Sequence, residues 1–261
     1  VSKRLHHSGE KTAIMTATGN KMTGPGSFNL QHLPFRQRSR PKGDTVHLWY
    51  LDFQQLSNPL SPDDNVDFND LSVFQQRTNR RFYLRLLLGS YLGLPGKDLV
   101  INRRIKGRPE LELSQSGGEL DFSVARSGSS YLIGLSNGAT IGVDLEVANR
   151  RAGNPLALAE RYFSEAETTV LRQLDKDRLH EAFMRTWSCK EAIVKASGLG
   201  IANQLCRFTV EADPDKPPAV LDMPDDDHEA WTLAFVKPTD AKIAAIAVRQ
   251  KNLKVEGFSL E

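Results

Sequence analysis

Two short stretches of this 261-residue chain carry side chains that can handle phosphate and a metal ion. In Ile141-Gly-Val-Asp-Leu-Glu-Val147, branched and acidic residues alternate as they do in a strand, where residues two apart share a face. Asp144 and Glu146 then project together while Val143, Leu145 and Val147 turn to a core. Converging carboxylates repel unless a cation sits between them, and a hard divalent ion takes oxygen ligands. The plainer alternative is a strand with its acidic face in water. In Trp187-Ser-Cys-Lys-Glu-Ala-Ile-Val-Lys195, Glu191 and Lys195 share a helix face, in the order that also stabilises an exposed helix. The chemical reading makes Glu191 a metal ligand or general base and Lys195 a neutraliser of phosphate, with Trp187 as an anchor close to one turn earlier.

Basic groups upstream complement these acids. Arg77, Arg81 and Arg85 form a stripe along one helix, Lys106-Gly-Arg-Pro109 sets two cations beside a tight turn, and Arg126-Ser-Gly128 follows a predicted strand. Each can be a solvated face. The backbone amides of a small-residue turn at Ser127 and Gly128 can also hold a phosphate oxygen. Cations on one half and carboxylates on the other describe a cleft for a polyphosphate held by a metal ion, as any phosphoryl-transfer enzyme requires.

The elements that must position these groups begin at Thr45, with an aromatic and branched strand over 45–53. A helix over about 67–92 stops at Gly93 and Pro95. Short strands follow at 99–105, 110–113, 122–126 and 131–135. The plan then repeats, with a strand over 140–147, helices near 155–174 and 178–197, and strands near 207–211, 231–236 and 242–249. The expectation is an α+β fold of two tandem halves, 45–139 and 140–261, behind a flexible basic tail, 1–44. That tail holds eight Lys/Arg against two Asp/Glu, a net +6, whereas 45–261 holds 26 against 30, a net −4. It lacks the aromatic groups and clustered charge of a nucleic-acid surface. No apolar run reaches the roughly 20 residues of a membrane helix, and no signal peptide is apparent. Two cysteines without a CxxC pair fit a reducing cytoplasm.

The order of these motifs resembles the 4′-phosphopantetheinyl transferases, in particular their larger monomeric branch typified by the surfactin-synthetase activator. Gly142-Val-Asp-Leu-Glu146 is similar to the family's Gly-x-Asp-x-Glu. Trp187-Ser-Cys-Lys-Glu-Ala-Ile-Val-Lys195, about forty residues later, is similar to its Trp-x-x-Lys-Glu-Ala-x-x-Lys. Between them Arg161-Tyr-Phe-Ser-Glu-Ala-Glu167 resembles Arg-Phe-Phe-Ser-x-x-Glu, although Ser164 and Glu167 are also spaced as a capping box. Upstream, Arg108 takes the lysine place of a Gly-Lys-Pro turn. Ala125-Arg-Ser127 replaces the family's Ser-His-Ser, putting an always-charged, bidentate Arg126 where a histidine commonly meets the 3′-phosphate of coenzyme A.

The resemblance implies transfer of the phosphopantetheine arm of coenzyme A to a serine of an acyl or peptidyl carrier protein, with release of 3′,5′-ADP. It implies Mg²⁺ on Asp144, Glu146 and Glu191, and catalysis by Glu191, Lys195 and Asp144. Coenzyme phosphates would be held by Arg81, Arg85, Arg108, Arg126, Ser127, Lys190 and Lys195. It also implies a monomer and an acidic carrier as partner; the hydropathy argues against a membrane partner and the tail composition against nucleic acid. The residues alone leave two alternatives open: another Mg²⁺-dependent enzyme of nucleotides or polyphosphates, and a non-catalytic protein that binds nucleic acid through its basic tail.

Overall fold

The structure, a computed structural model, describes residues 13–15, 21–23, 27–56, 66–103, 107–147, 153–198 and 205–260. Strands β1 (Ala13–Met15), β2 (Lys21–Thr23), β3 (Asn29–Gln31) and β4 (Thr45–Asp52) precede helix α1 (Val73–Leu92). Next come β5 (Ile101–Arg103), β6 (Pro109–Leu111), the single turn α2 (Leu113–Ser116), β7 (Leu120–Ser127), β8 (Ser130–Asn137) and β9 (Ile141–Val147). Helices α3 (Pro155–Tyr162), α4 (Glu165–Arg172) and α5 (Lys176–Ser197) follow. The chain continues through β10 (Thr209–Val210), β11 (Val220–Asp222), β12 (Thr232–Thr239), β13 (Lys242–Val248) and β14 (Leu253–Leu260). The fold is α+β, as the order of elements predicts. Among the described residues no helix is long and apolar enough to cross a membrane.

The alternation along β4 shows how the layers stack. Trp49 and Leu51 pack with Tyr83, Leu84, Leu87 and Leu88 of α1, which lies across the outer face of the sheet β1-β2-β14-β4-β8-β7. Val46, Leu48 and Tyr50 turn the other way, against Ile141, Val143, Leu145, Ala244 and Ile246 of the antiparallel sheet β12-β13-β9. That second sheet carries α5 on its far face, through Ala192, Ile193, Ala196, Leu233, Ala245 and Ala247. Two sheets therefore face each other with one long helix outside each. They are also tied along an edge, where side chains of β7 serve the backbone of β9: Asp121 Oδ2 accepts from Ile141 N at 2.9 Å and Ser123 Oγ from Val143 N at 3.1 Å.

Three findings depart from expectation. The stretch 155–174 is two helices, because Phe163 is extended (φ −99°, ψ 169°) and Ser164 starts a new helix in a capping box with Glu167. The unanticipated β14 runs parallel to β4 and pairs with it from Lys254 to Leu260, so the last strand of the second segment lies inside the first sheet. Residues 27–44, expected as part of a flexible tail, are mostly exposed but anchored: the Arg38 guanidinium lies 4.4 Å from the Trp49 ring centroid, and Arg40 Nη1 donates to Ser116 O at 2.9 Å. Ring stacking and carbonyl acceptors occupy those charges within the protein. Residues 1–12, 58–62, 104–106 and 148–152, which include Lys106, lie outside the described residues.

Because β14 stands between β4 and the strands β2 and β3, deleting 253–260 should remove Leu253, Val255 and Leu260 from the core. We expect loss of cooperative thermal unfolding in circular dichroism.

Candidate active site between β9 and α5

A glycine sets the distance on which the site depends. At Gly142 a Cβ would lie 1.8 Å from Ala192 O and 2.6 Å from Ala196 N, so only glycine lets β9 approach the backbone of α5. Two residues along the same face, Asp144 is buried beneath the last turns of α5. Its Oδ1 accepts from Lys195 Nζ at 2.8 Å, and Lys195 Nζ also stands 3.5 Å from Glu191 Oε2. Trp187 Nε1 donates to Glu191 Oε1 at 2.8 Å, one helical turn back. Asp144 Oδ2 is buried and has no hydrogen-bond partner. Burial, then the charge of Asp144 and a carboxyl–carboxylate hydrogen bond to it, push the Glu191 carboxyl above the ordinary glutamate range, while Lys195 and the Trp187 indole pull the other way. The strand and helix motifs thus meet, and the solvent-facing alternative for Asp144 does not hold.

Glu146 follows on the same strand face and is partly exposed. Among the described residues no group of three or more His, Cys, Asp or Glu side chains is gathered as a metal site. The convergent pair is Asp144 and Glu191, in contact with each other and with Lys195 beside both.

Beyond the end of β9 lies the tip of the β7–β8 hairpin, where Ser127 pairs with Ser130 and Gly128 turns at φ +61°. Three side chains fasten this tip. Arg80 Nη2 donates to Gly128 O at 2.8 Å, Ser129 Oγ to Asp52 Oδ1 at 2.7 Å, and Lys242 Nζ to Ser127 O at 3.2 Å. Lys242 is the register partner of Val147, so the hairpin tip and the carboxylate strand are tied directly. Arg126, just before the tip, is exposed and makes no ion pair among the described residues. Burial, then the nearby charge of Arg126, pulls Arg80 below the ordinary guanidinium value. Arg80 and Lys242 were not singled out from sequence; Arg80 adjoins the predicted stripe, but its packing over Phe68 at 4.9 Å has no local signal.

The other predicted phosphate ligands divide. Arg81 is exposed on α1. Arg85 donates through Nη2 to Leu99 O at 2.6 Å and is half-buried. Arg108 is turned inward, with Nη2 2.6 Å from Asp121 Oδ2 and 2.9 Å from Ile141 O, so it braces the seam between the sheets. Lys190 is corrected outright. Its side chain is 0% exposed, paired with Glu167 at 2.8 Å and donating at 2.6 Å to both Leu205 O and Phe208 O. All three ammonium donors are thereby used inside the core. Glu167 in turn caps Ser164 N and accepts from Val210 N at 2.7 Å. Burial pushes Glu167 up and Lys190 down, and each partner pulls the other back.

Residues 140–247, from the start of β9 to the end of β13, match the model of the 4′-phosphopantetheinyl transferase superfamily. The 4′-phosphopantetheinyl transferase HetI of Nostoc sp. is 32% identical over 84% of this chain and 94% of its own. The chain belongs to that family. Among other members, the 4′-phosphopantetheinyl transferase Sfp of Bacillus subtilis is 26% identical over 74% of this chain and 89% of its own. A solved structure, the holo-(acyl-carrier-protein) synthase of Bacillus anthracis, aligns with 42% of this chain and 93% of its own at 25% identity and a TM-score of 0.34.

Two outcomes test this packing in the transferase. Gly142→Ala should cost about 1–3 kcal/mol or more by overpacking, measured by urea unfolding. Lys190→Met should cost about 3–5 kcal/mol by stranding Glu167, and adding Glu167→Gln should recover much of that loss.

Proposed function

We propose that this transferase moves the phosphopantetheine arm of coenzyme A onto a serine of an acyl or peptidyl carrier protein, with Mg²⁺ and with release of 3′,5′-ADP. The observation that carries the reading is the Asp144–Glu191 carboxylate pair, with a buried and unpartnered Asp144 Oδ2, in a member of this family. These oxygen donors, with no histidine or thiolate among them, fit a hard cation that completes its shell with water and substrate phosphate. Asp144, Glu146 and Glu191 would hold it. When bound, Mg²⁺ supplies positive charge to the pyrophosphate of the coenzyme and to the oxygen that leaves.

The protein's own groups account for the rest. Glu191, kept basic enough by burial to accept a proton and oriented by the Trp187 indole, takes the proton of the carrier serine directly or through water. The serine oxygen bonds to the β-phosphorus as the bond from phosphorus to the 3′,5′-ADP oxygen breaks. Lys195, with its ammonium beside the same carboxylates, neutralises charge gathering on the phosphates. Arg126 and the amides of the Ser127–Gly128 turn suit the 3′-phosphate, and Arg81 the rim of the same cleft. Arg77 and Arg81 are exposed on α1, which has no acidic residue, and suit an acidic carrier. Both halves stand on one chain, which supports a monomer, and the free thiols Cys189 and Cys206 suit a reducing cytoplasm.

Asp144→Ala and Glu191→Gln should each lower carrier-dependent release of 3′,5′-ADP by about two to three orders of magnitude while the proteins melt as folded. Turnover close to wild type in Asp144→Ala would remove the carboxylate site from the reaction. Arg126→Ala should weaken coenzyme A about tenfold or more while barely affecting 3′-dephospho-coenzyme A; equal losses would move the 3′-phosphate elsewhere.

A further inference from the structure

Two carboxylates held together in a buried setting are stabilised by a shared proton or by a nearby positive charge, whether or not a metal ion is bound. Here such a charge is built in. Lys195 Nζ stands 2.8 Å from Asp144 Oδ1 and 3.5 Å from Glu191 Oε2, while Asp144 Oδ2 stays without a partner. The two ends of this contact differ in freedom. The Asp144 side chain is 6% exposed in the middle of β9, whereas Lys195 is 25% exposed and sits in the last turn of α5, ahead of Gly198. A compact charge on a flexible four-carbon stem can swing to a new anion without a change of backbone.

Resting on the Mg²⁺-dependent reading above, we propose that Lys195 is an internal counter-ion that competes with the divalent ion for Asp144 and Glu191, so that ion and coenzyme phosphates enter as a coupled pair. An ion arriving alone meets an ammonium already in contact with both carboxylates, and like charges at such distances oppose each other strongly in a partly dry site. Phosphates arriving with the ion offer Lys195 a second anion, so the ammonium moves from carboxylate to phosphate and is never left unpaired. The metal-free site is thereby kept neutral enough to remain folded, and an ion without substrate is held weakly. Chelation of the ion by phosphate alone would also couple the two ligands, but it would not make the lysine an obstacle to the ion by itself.

Isothermal titration calorimetry of the full chain with Mg²⁺, in the absence and presence of coenzyme A, separates these accounts. Lys195→Met keeps the stem and removes the charge. It should bind Mg²⁺ alone about tenfold tighter than wild type and show a correspondingly smaller gain on adding coenzyme A. Lys195→Arg, which keeps the charge, should stay within about threefold of wild type without coenzyme. Should Lys195→Met fail to fold, Lys195→Gln carries the same expectation. Mg²⁺ affinity without coenzyme that is equal to or weaker than wild type in the neutral variant overturns the proposal. So does a binding signal that survives Asp144→Asn, because the ion then binds elsewhere. No Mg²⁺ binding in any of the proteins, coenzyme present or not, sinks the metal reading itself and the counter-ion proposal with it.

Discussion

Like charges separate unless something holds them, and in this protein backbone contact supplies much of that hold. Strand β9 and helix α5 touch at Gly142, where even one Cβ would meet Ala192 O. That contact fixes the height of α5 over the strand. From it follows the meeting of Asp144, two residues along the strand, with Glu191 and Lys195 on the facing turns of the helix. The alanines at 192, 196, 245 and 247 extend the same close packing, so a rigid layer of small residues underlies a pair of groups that would otherwise move apart.

A second, fully buried pair stabilises the helix from its other side. Lys190 is adjacent to Glu191 but points into the core, where it meets Glu167 and the carbonyls of Leu205 and Phe208. Glu167 also begins α4 and binds the amide of Val210. One carboxylate therefore joins α4, α5 and the start of β10, and Glu191 is the next residue along from its partner. The first half reaches the same region through Arg108 on Asp121 and Ile141, and through Lys242 on the hairpin tip at Ser127. The Lys242 contact, opposite Val147, places the exposed Arg126 near the far end of the carboxylate strand, while Arg108 ties its start at Ile141.

Local periodicity made part of this legible in the chain. The two-residue alternation in 141–147 puts Asp144 and Glu146 on one face, and the four-residue spacing of Glu191 and Lys195 puts them on another. That these two faces meet is a contact across 51 residues, which periodicity alone does not show. Lys190 illustrates the limit well. Its helix position says that it points away from Lys195, but whether toward a cleft or a core depends on Glu167, which locally reads only as a cap. The alternation in Leu253-Lys-Val-Glu-Gly-Phe-Ser-Leu260 was available as a strand signal. Its parallel partner β4 begins more than two hundred residues earlier, so its place in the first sheet was not. Arg38 and Arg40 looked like solvated tail charges because the Trp49 ring and the Ser116 carbonyl that receive them are distant in sequence.

We propose a metal-assisted transfer from coenzyme A to a carrier serine at the site between β9 and α5. Its most direct test is intact-mass spectrometry of an apo acyl or peptidyl carrier protein incubated with this transferase, coenzyme A and Mg²⁺, beside a sample with excess chelator. The account predicts a phosphopantetheine-sized mass gain on the carrier serine that disappears with chelator. A gain that persists undiminished in chelator would contradict the role given to the carboxylates. No gain on any of several carrier types, from folded protein that binds coenzyme A, would contradict the transfer itself.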